Sequence, residues 1–122
     1  MKSKKLKTEG NLLKDKSYLF AIRVVKLSQY LRDEKREFVL NKQVLRGGTA
    51  VGAHIREAEF GQSKLDCTSK MSIALKEANE AEYWLPLLKD TGIINENEFA
   101  SLHSDCKELI AMLVSTVKTS KK

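Results

Sequence analysis

Apolar residues recur along this chain in steps of three and four, the spacing that places side chains on one face of an α-helix. Phe20, Val24, Leu27 and Leu31 make the first stripe, and Ile22 and Val25 widen it, so a deeply packed helix is predicted from about Leu13 to Leu31. Arg32-Asp33-Glu34-Lys35 is a polar interruption suited to a turn. A second stripe of Leu40, Val44, Gly47, Val51, Ile55 and Ala58 predicts a helix from about Arg36 to Phe60. Gly61 stops it, Ser63 serves as the next N-cap, and Asp66 adds a carboxylate near the new helix start. The third helix should reach about Asp90 with Met71, Leu75, Ala78, Leu85 and Leu88 inward, with Pro86 kinking it or ending its regular part and Thr91-Gly92 stopping it. Asn95 and Glu98 have capping-box spacing, and Phe99, Leu102, Cys106, Leu109, Leu113 and Val117 form the cleanest stripe of the chain. No segment alternates with period two for long enough to make a strand. Four amphipathic helices with short connections predict an all-α fold, an up-down-up-down antiparallel four-helix bundle.

The second helix carries an oddity. Gly47, Gly48 and Gly52 lie inside it, and each interior glycine costs about 0.5–1 kcal/mol relative to alanine. Gly47 falls on the core stripe, whereas Gly48 and Gly52 sit four apart on an adjoining face. Bare backbone at that spacing lets another helix come close. This second thin face, with His54 at its edge, is the expected subunit contact, and the aromatic doublet Tyr83-Trp84 suits a subunit contact better than a base-stacking platform.

The chain of 122 residues is long enough for one core without disulfides or metals. Its net charge of +6 resides at its ends: Lys2, Lys4, Lys5, Lys7, Lys118, Lys121 and Lys122 against Glu9. Residues 11–117 hold 15 basic and 15 acidic groups, so the predicted organisation is a neutral bundle domain over residues 11–117 between basic flexible tails at 1–10 and 118–122. Within the body the first helix is basic and the last acidic, an asymmetry that serves either helix packing or phosphate binding. Cys67 and Cys106 lack metal-ligand spacing and read as reduced cytosolic thiols. No apolar run approaches the roughly 18 residues of a membrane span.

Tests for chemistry come out negative. A di-iron bundle needs Glu three residues before each of two histidines, but Val51 and Ala100 precede His54 and His103. Cys106 and His103 are helix neighbours, yet Cys106 falls on the core stripe and no orienting third group accompanies them. His54 reads as a partly buried hydrogen-bonding residue. Arg56, Glu57 and Glu59, with Glu77, Glu80 and Glu82 on the third helix, read as a structural ion-pair network in preference to a catalytic carboxylate site, and Arg56 can pair with Glu59 three residues on. No catalytic residue, metal site or cofactor is expected.

The stretch EFVLNKQVLRGGTAVGAHIREAE from Glu37 and the block KMSIALKEANEAEYWLPLLKDTGII from Lys70 resemble a bacterial four-helix-bundle family first noticed as proteins encoded in intervening sequences of 23S ribosomal RNA genes. The resemblance runs from about Lys14 to Val117. It implies a ring-shaped homopentamer. It also implies, from a branch of the family that serves diversity-generating retroelements, contact with a reverse transcriptase and with RNA or DNA through basic surfaces. Those surfaces match Arg23, Lys26, Lys42, Arg46 and Arg56 here. The chain departs from its relatives in reading Gly47-Gly48-Thr49-Ala50 for Ser-Gly-Thr-Ser and His54 for Asn, which removes hydrogen-bonding groups from the second helix. The expected function is a non-enzymatic, cytoplasmic, self-associating accessory or scaffold for nucleic acid, with a pure protein–protein interaction module as the alternative.

Overall fold

The computed structural model describes the backbone of residues 4–120 and the side chains of residues 12–119. Four helices follow one another: α1 (Lys4–Asp33), α2 (Val39–Glu59), α3 (Lys64–Asp90) and α4 (Glu96–Ser120). Each packs on its neighbours in sequence, and α4 closes back on α1 over the smallest of the four seams. The result is the antiparallel four-helix bundle that the stripes require.

The caps explain where the helices begin and end. Ser63 Oγ accepts from Asp66 N at 3.0 Å, and Asp66 answers by accepting from Gln62 N at 3.1 Å. The Asn95–Glu98 capping box forms in both directions, at 2.8 and 3.2 Å. Gly92 takes φ +80°, and the amide of Ile93 donates back to Leu88 O, closing α3 with a left-handed glycine. α2 starts three residues later than its stripe suggests, because Arg36 at φ 54° turns the chain first and Glu37 then accepts from Asn41 N at 2.8 Å.

Several expectations need correction. α1 begins at Lys4 and not near Leu13, and α4 runs to Ser120, so most of both expected tails is helical backbone. Residues 1–3, 121 and 122 of those tails lie outside the described residues. Ile22 and Val25 do not widen the α1 core stripe, since they remain 37% and 38% exposed. α3 turns Ala74, Ala78, Ala81, Leu85 and Leu88 inward, leaving Met71 and Leu75 at the edge of the core. Three alanines there let α3 approach closely. The helix also continues through Pro86 to Asp90. A proline without an N–H cannot bond the Glu82 carbonyl, and the helix accommodates that single loss.

Phe20, Val24, Leu31, Val51, Leu85, Leu109 and Leu113 form the centre of the core. Ser28 and Asn41, buried beside it, satisfy each other. Ser28 Oγ donates to Asn41 Oδ1 and Asn41 Nδ2 donates to Ser28 O at 3.1 Å, a closed pair that fixes the register of α2 on α1.

Cys106 is wholly buried, with Sγ 3.4 Å from Ala78 O. Burial, and then the nearby charges of Glu82 and Asp105, push its thiol up to about 12. Cys67 is half-buried. A thiol-exchange reagent at pH 8 should therefore modify one cysteine of the native protein, Cys67, and reach Cys106 only in denaturant. Fast reaction of two thiols in the native state would contradict this placement.

Candidate nucleic-acid and subunit surfaces

The basic side chains divide by what they touch. Arg23 Nη1 lies 2.5 Å from Asp105 and its Nη2 donates to Ser101 Oγ at 2.8 Å, while Lys16 pairs with Glu108 at 3.0 Å. Two basic side chains of α1, Lys16 and Arg23, thus meet the acidic face of α4, and the charge asymmetry between the helices serves the smallest seam of the bundle. Arg46 reaches Glu77 at 3.1 Å and also Glu80. Hydrogen bonding to Glu77, then its charge, raises the guanidinium further above its ordinary range. The ion-pair network on α2 and α3 therefore centres on Arg46, not on Arg56. The expected Arg56–Glu59 pair does not form, because Glu59 bonds Lys14 at 2.9 Å, and Glu57 bonds Lys70 at 3.2 Å. Of the five cations implied for nucleic acid, Arg23 and Arg46 are held by acids of their own chain. Lys26, Lys42 and Arg56 make no ion pair among the described residues.

The fold also sorts charge along its length. The Lys14–Glu59, Lys16–Glu108 and Lys70–Glu57 bridges tie the first half of α1 to the end of α2 and the middle of α4, and the end of α2 to the start of α3. Residues 1–16, 56–70 and 108–122 contain twelve lysines and arginines against six acids, and the remainder of the chain has ten against ten. The whole net charge of +6 thus falls in the sequence segments 1–16, 56–70 and 108–122.

The glycines of α2 need a second correction. A Cβ on Gly48 would lie 2.7 Å from both methyls of Val24, so the chain's own α1 fills the space over it. Its thin face is used within the subunit and is closed to a second copy. Gly47 faces α3 more loosely, with nothing nearer than 3.8 Å. Gly52 opens differently: with Ser17, Ala21 and Ala53 it floors a groove of about 510 Å³ between α1 and α2, walled by Tyr18 and Arg56. Alongside, Leu19, Ile22 and Val25 give α1 a second apolar face that no part of the described chain covers.

The other expected contact residues differ in environment. Tyr83 is 61% exposed, and Trp84 packs edge-on to it with ring centroids 5.1 Å apart. Trp84 Nε1 is buried without an acceptor among the described residues. His54 Nδ1 also lacks a hydrogen bond, with Glu57 at 3.9 Å, so the expected hydrogen-bonding role is not fulfilled within the described chain. His103 Nε2 bonds Glu82 at 3.0 Å and its ring stacks on Phe99, which directs it away from Cys106 chemistry. No cluster of three potential metal ligands occurs among the described residues, and none of their helices is long and apolar enough to cross a membrane. Phe60, 75% exposed beside Gly61, is not singled out by the stripes; its position past the last inward residue, Ala58, is the signal that marks it as unused by the core.

No curated protein matches the chain. Among solved structures, a protein of unknown function from the S23 ribosomal protein family of Bacteroides thetaiotaomicron superposes with a TM-score of 0.88 at 49% identity, covering 90% of this chain and 98% of that one. The family model described as 23S rRNA-intervening sequence protein matches residues 10–115, a span that takes in most of every helix and both sequence blocks. Bundle and sequence thus agree, and the chain belongs to the family of 23S rRNA-intervening sequence proteins.

Proposed function

We propose that this protein is a non-enzymatic, self-associating scaffold in the cytoplasm that binds the phosphate backbone of RNA or an RNA–protein complex through the lysine-rich end of its bundle. The excess of twelve lysines and arginines over six acids in the sequence segments 1–16, 56–70 and 108–122 carries the reading. Lysines in excess over acids attract phosphate and release its counterions, and the free energy of that release grows with the number of phosphates neutralised. Arg56 belongs to that end, whereas Lys26 and Lys42 lie toward the opposite end of the bundle, near the α1–α2 turn. Arg23 and Arg46 do not contribute, since using them would break an existing ion pair. Self-association, as a pentamer in the resemblance, would cover the apolar face of Leu19, Ile22 and Val25 with the adjoining Gly52 groove, and would repeat the basic end around a ring.

The test is fluorescence anisotropy with a labelled RNA over a salt series. Replacing Lys4, Lys5, Lys7 and Lys118 with glutamine should weaken binding at least tenfold. The slope of log affinity against log salt should fall by up to about 0.7 for each phosphate no longer neutralised. Arg46→Gln should leave both nearly unchanged. A wild-type protein that retains no RNA at low ionic strength overturns the proposal. Co-purification with a stoichiometric protein and no nucleic acid would favour the interaction-module alternative.

A further inference from the structure

A second groove, of about 530 Å³, lies at the α2–α3 turn within the charged end. Phe60 forms one wall, and Arg56, Gln62 and Lys70 line the rest beside Ala53. Of its two acids, Glu57 bonds Lys70 at 3.2 Å, while Asp66 makes no ion pair among the described residues and accepts from the backbone N–H of Gln62 at the α3 N-terminus. Arg56 is left as a cation with no ion pair among the described residues. The Gln62 side chain likewise makes no hydrogen bond among them, leaving one donor group and one acceptor to offer. Phe60 holds its ring 75% in solvent at the mouth of this space.

We infer that this groove accepts an unpaired nucleotide, so that the nucleic acid bound by the protein is single-stranded where it meets Phe60. The inference rests on the polyanion-binding reading above and adds the form of the partner. An exposed aromatic ring stacks on any base whose face is free, while neighbouring cations hold the flanking phosphates. In a duplex both faces of each base are covered by the adjacent pairs, and Phe60 has nothing to stack on. Arg56 supplies a phosphate contact, and Gln62 meets a base edge with its paired donor and acceptor. The sequence segments 1–16, 56–70 and 108–122 hold twelve cations against six acids, a balance that suits a chain of phosphates. A lipid surface is the competing occupant, since Leu65 is 80% exposed at the start of α3, but Phe60 itself lines a groove with Arg56 and Gln62.

The experiment compares a labelled 20-nucleotide single-stranded RNA with the same RNA annealed to its complement, and with vesicles of phosphatidylserine and phosphatidylcholine. The full-length protein should bind the single strand at least fivefold more tightly than the duplex. Phe60→Ala should weaken single-strand binding about tenfold and duplex binding little, and Phe60→Tyr should restore it. Equal affinity for both RNAs, or full single-strand affinity in Phe60→Ala, overturns the inference while leaving backbone binding intact. A Phe60→Ala protein whose sedimentation coefficient falls would show the groove covered by a second copy. A Phe60-dependent loss of vesicle binding with RNA binding unchanged would assign the groove to lipid. Either outcome overturns it. Failure of the wild-type protein to bind any RNA removes the backbone-binding reading itself, a different and separable result.

Discussion

Gly48→Ala is expected to destabilise the bundle by about 1–3 kcal/mol, the usual range for forcing extra atoms into a filled core. Gly47→Ala, one residue earlier, should stabilise it by about 0.5–1 kcal/mol through helix propensity. The contrast follows from two distances. The new methyl at Gly47 meets nothing nearer than 3.8 Å, whereas at Gly48 it would sit 2.7 Å from both Val24 methyls and 3.0 Å from Val24 Cβ. Val24 cannot swing aside, because it is β-branched and buried at 1% exposure. α1 must then move away from α2, loosening the packing of both helices. Urea unfolding followed through the single tryptophan, Trp84, measures each change. Val24→Ala in the Gly48→Ala background should recover part of the loss, a favourable coupling that a double-mutant cycle reads directly. A Gly48→Ala protein at least as stable as the wild type would mean that the α1–α2 approach is not as close as described.

That pair of glycines shows what a sequence of this kind can and cannot reveal. Periodicity places the four helices, and chemistry at fixed spacing places the caps at Ser63 and Asn95. Both signals are local, acting within one or two turns of the residues that carry them. The direction in which a small residue opens is not local. Gly48 and Gly52 share a face by spacing, yet Val24 fills the space over one, while Ser17 meets the other only near van der Waals distance, 3.4 Å from an added Cβ. The α3 register departs from its large-residue stripe for a related reason. Alanines 74, 78 and 81 mark the buried side more faithfully than Met71 and Leu75, since the tightest seam selects small residues over large ones.

Charge behaves the same way. The count of lysines at both termini is plain in the sequence, but the fate of Arg23, Arg46 and Arg56 depends on which acids the fold brings near. Helix spacing pairs Arg56 with Glu59, and the fold gives Glu59 to Lys14 instead. Arg46 has no such local partner, and the fold binds it twice. Exposed ion pairs of this kind contribute about 0–1 kcal/mol each. Their consequence here is less for stability than for function: they remove cations from the surface that a phosphate could meet, and so move the candidate site from the flank of the bundle to its terminal end.

Phe20→Ala is expected to cost about 3–5 kcal/mol, the largest single-residue loss in the molecule. Phe20 is the one aromatic ring wholly buried among the described residues, at 1% exposure, and it lies in the same cluster as Val24, Leu31 and Val51. Removing the ring takes away its transfer free energy and leaves a cavity that helices pinned by caps and ion pairs cannot collapse to fill. A domain of this size has about 5–15 kcal/mol of stability in total, so the variant should unfold at markedly lower urea. Phe20→Leu, which keeps most of the volume, should cost less. Phe60→Ala makes the same chemical change on a ring that is 75% exposed, and should shift stability by no more than about 0.5 kcal/mol. The two substitutions together separate folding from binding. If Phe60→Ala destabilised the bundle as Phe20→Ala does, its loss of RNA affinity would carry no information about the groove. If its urea midpoint stays at the wild-type value, any change in single-strand binding belongs to the ring itself.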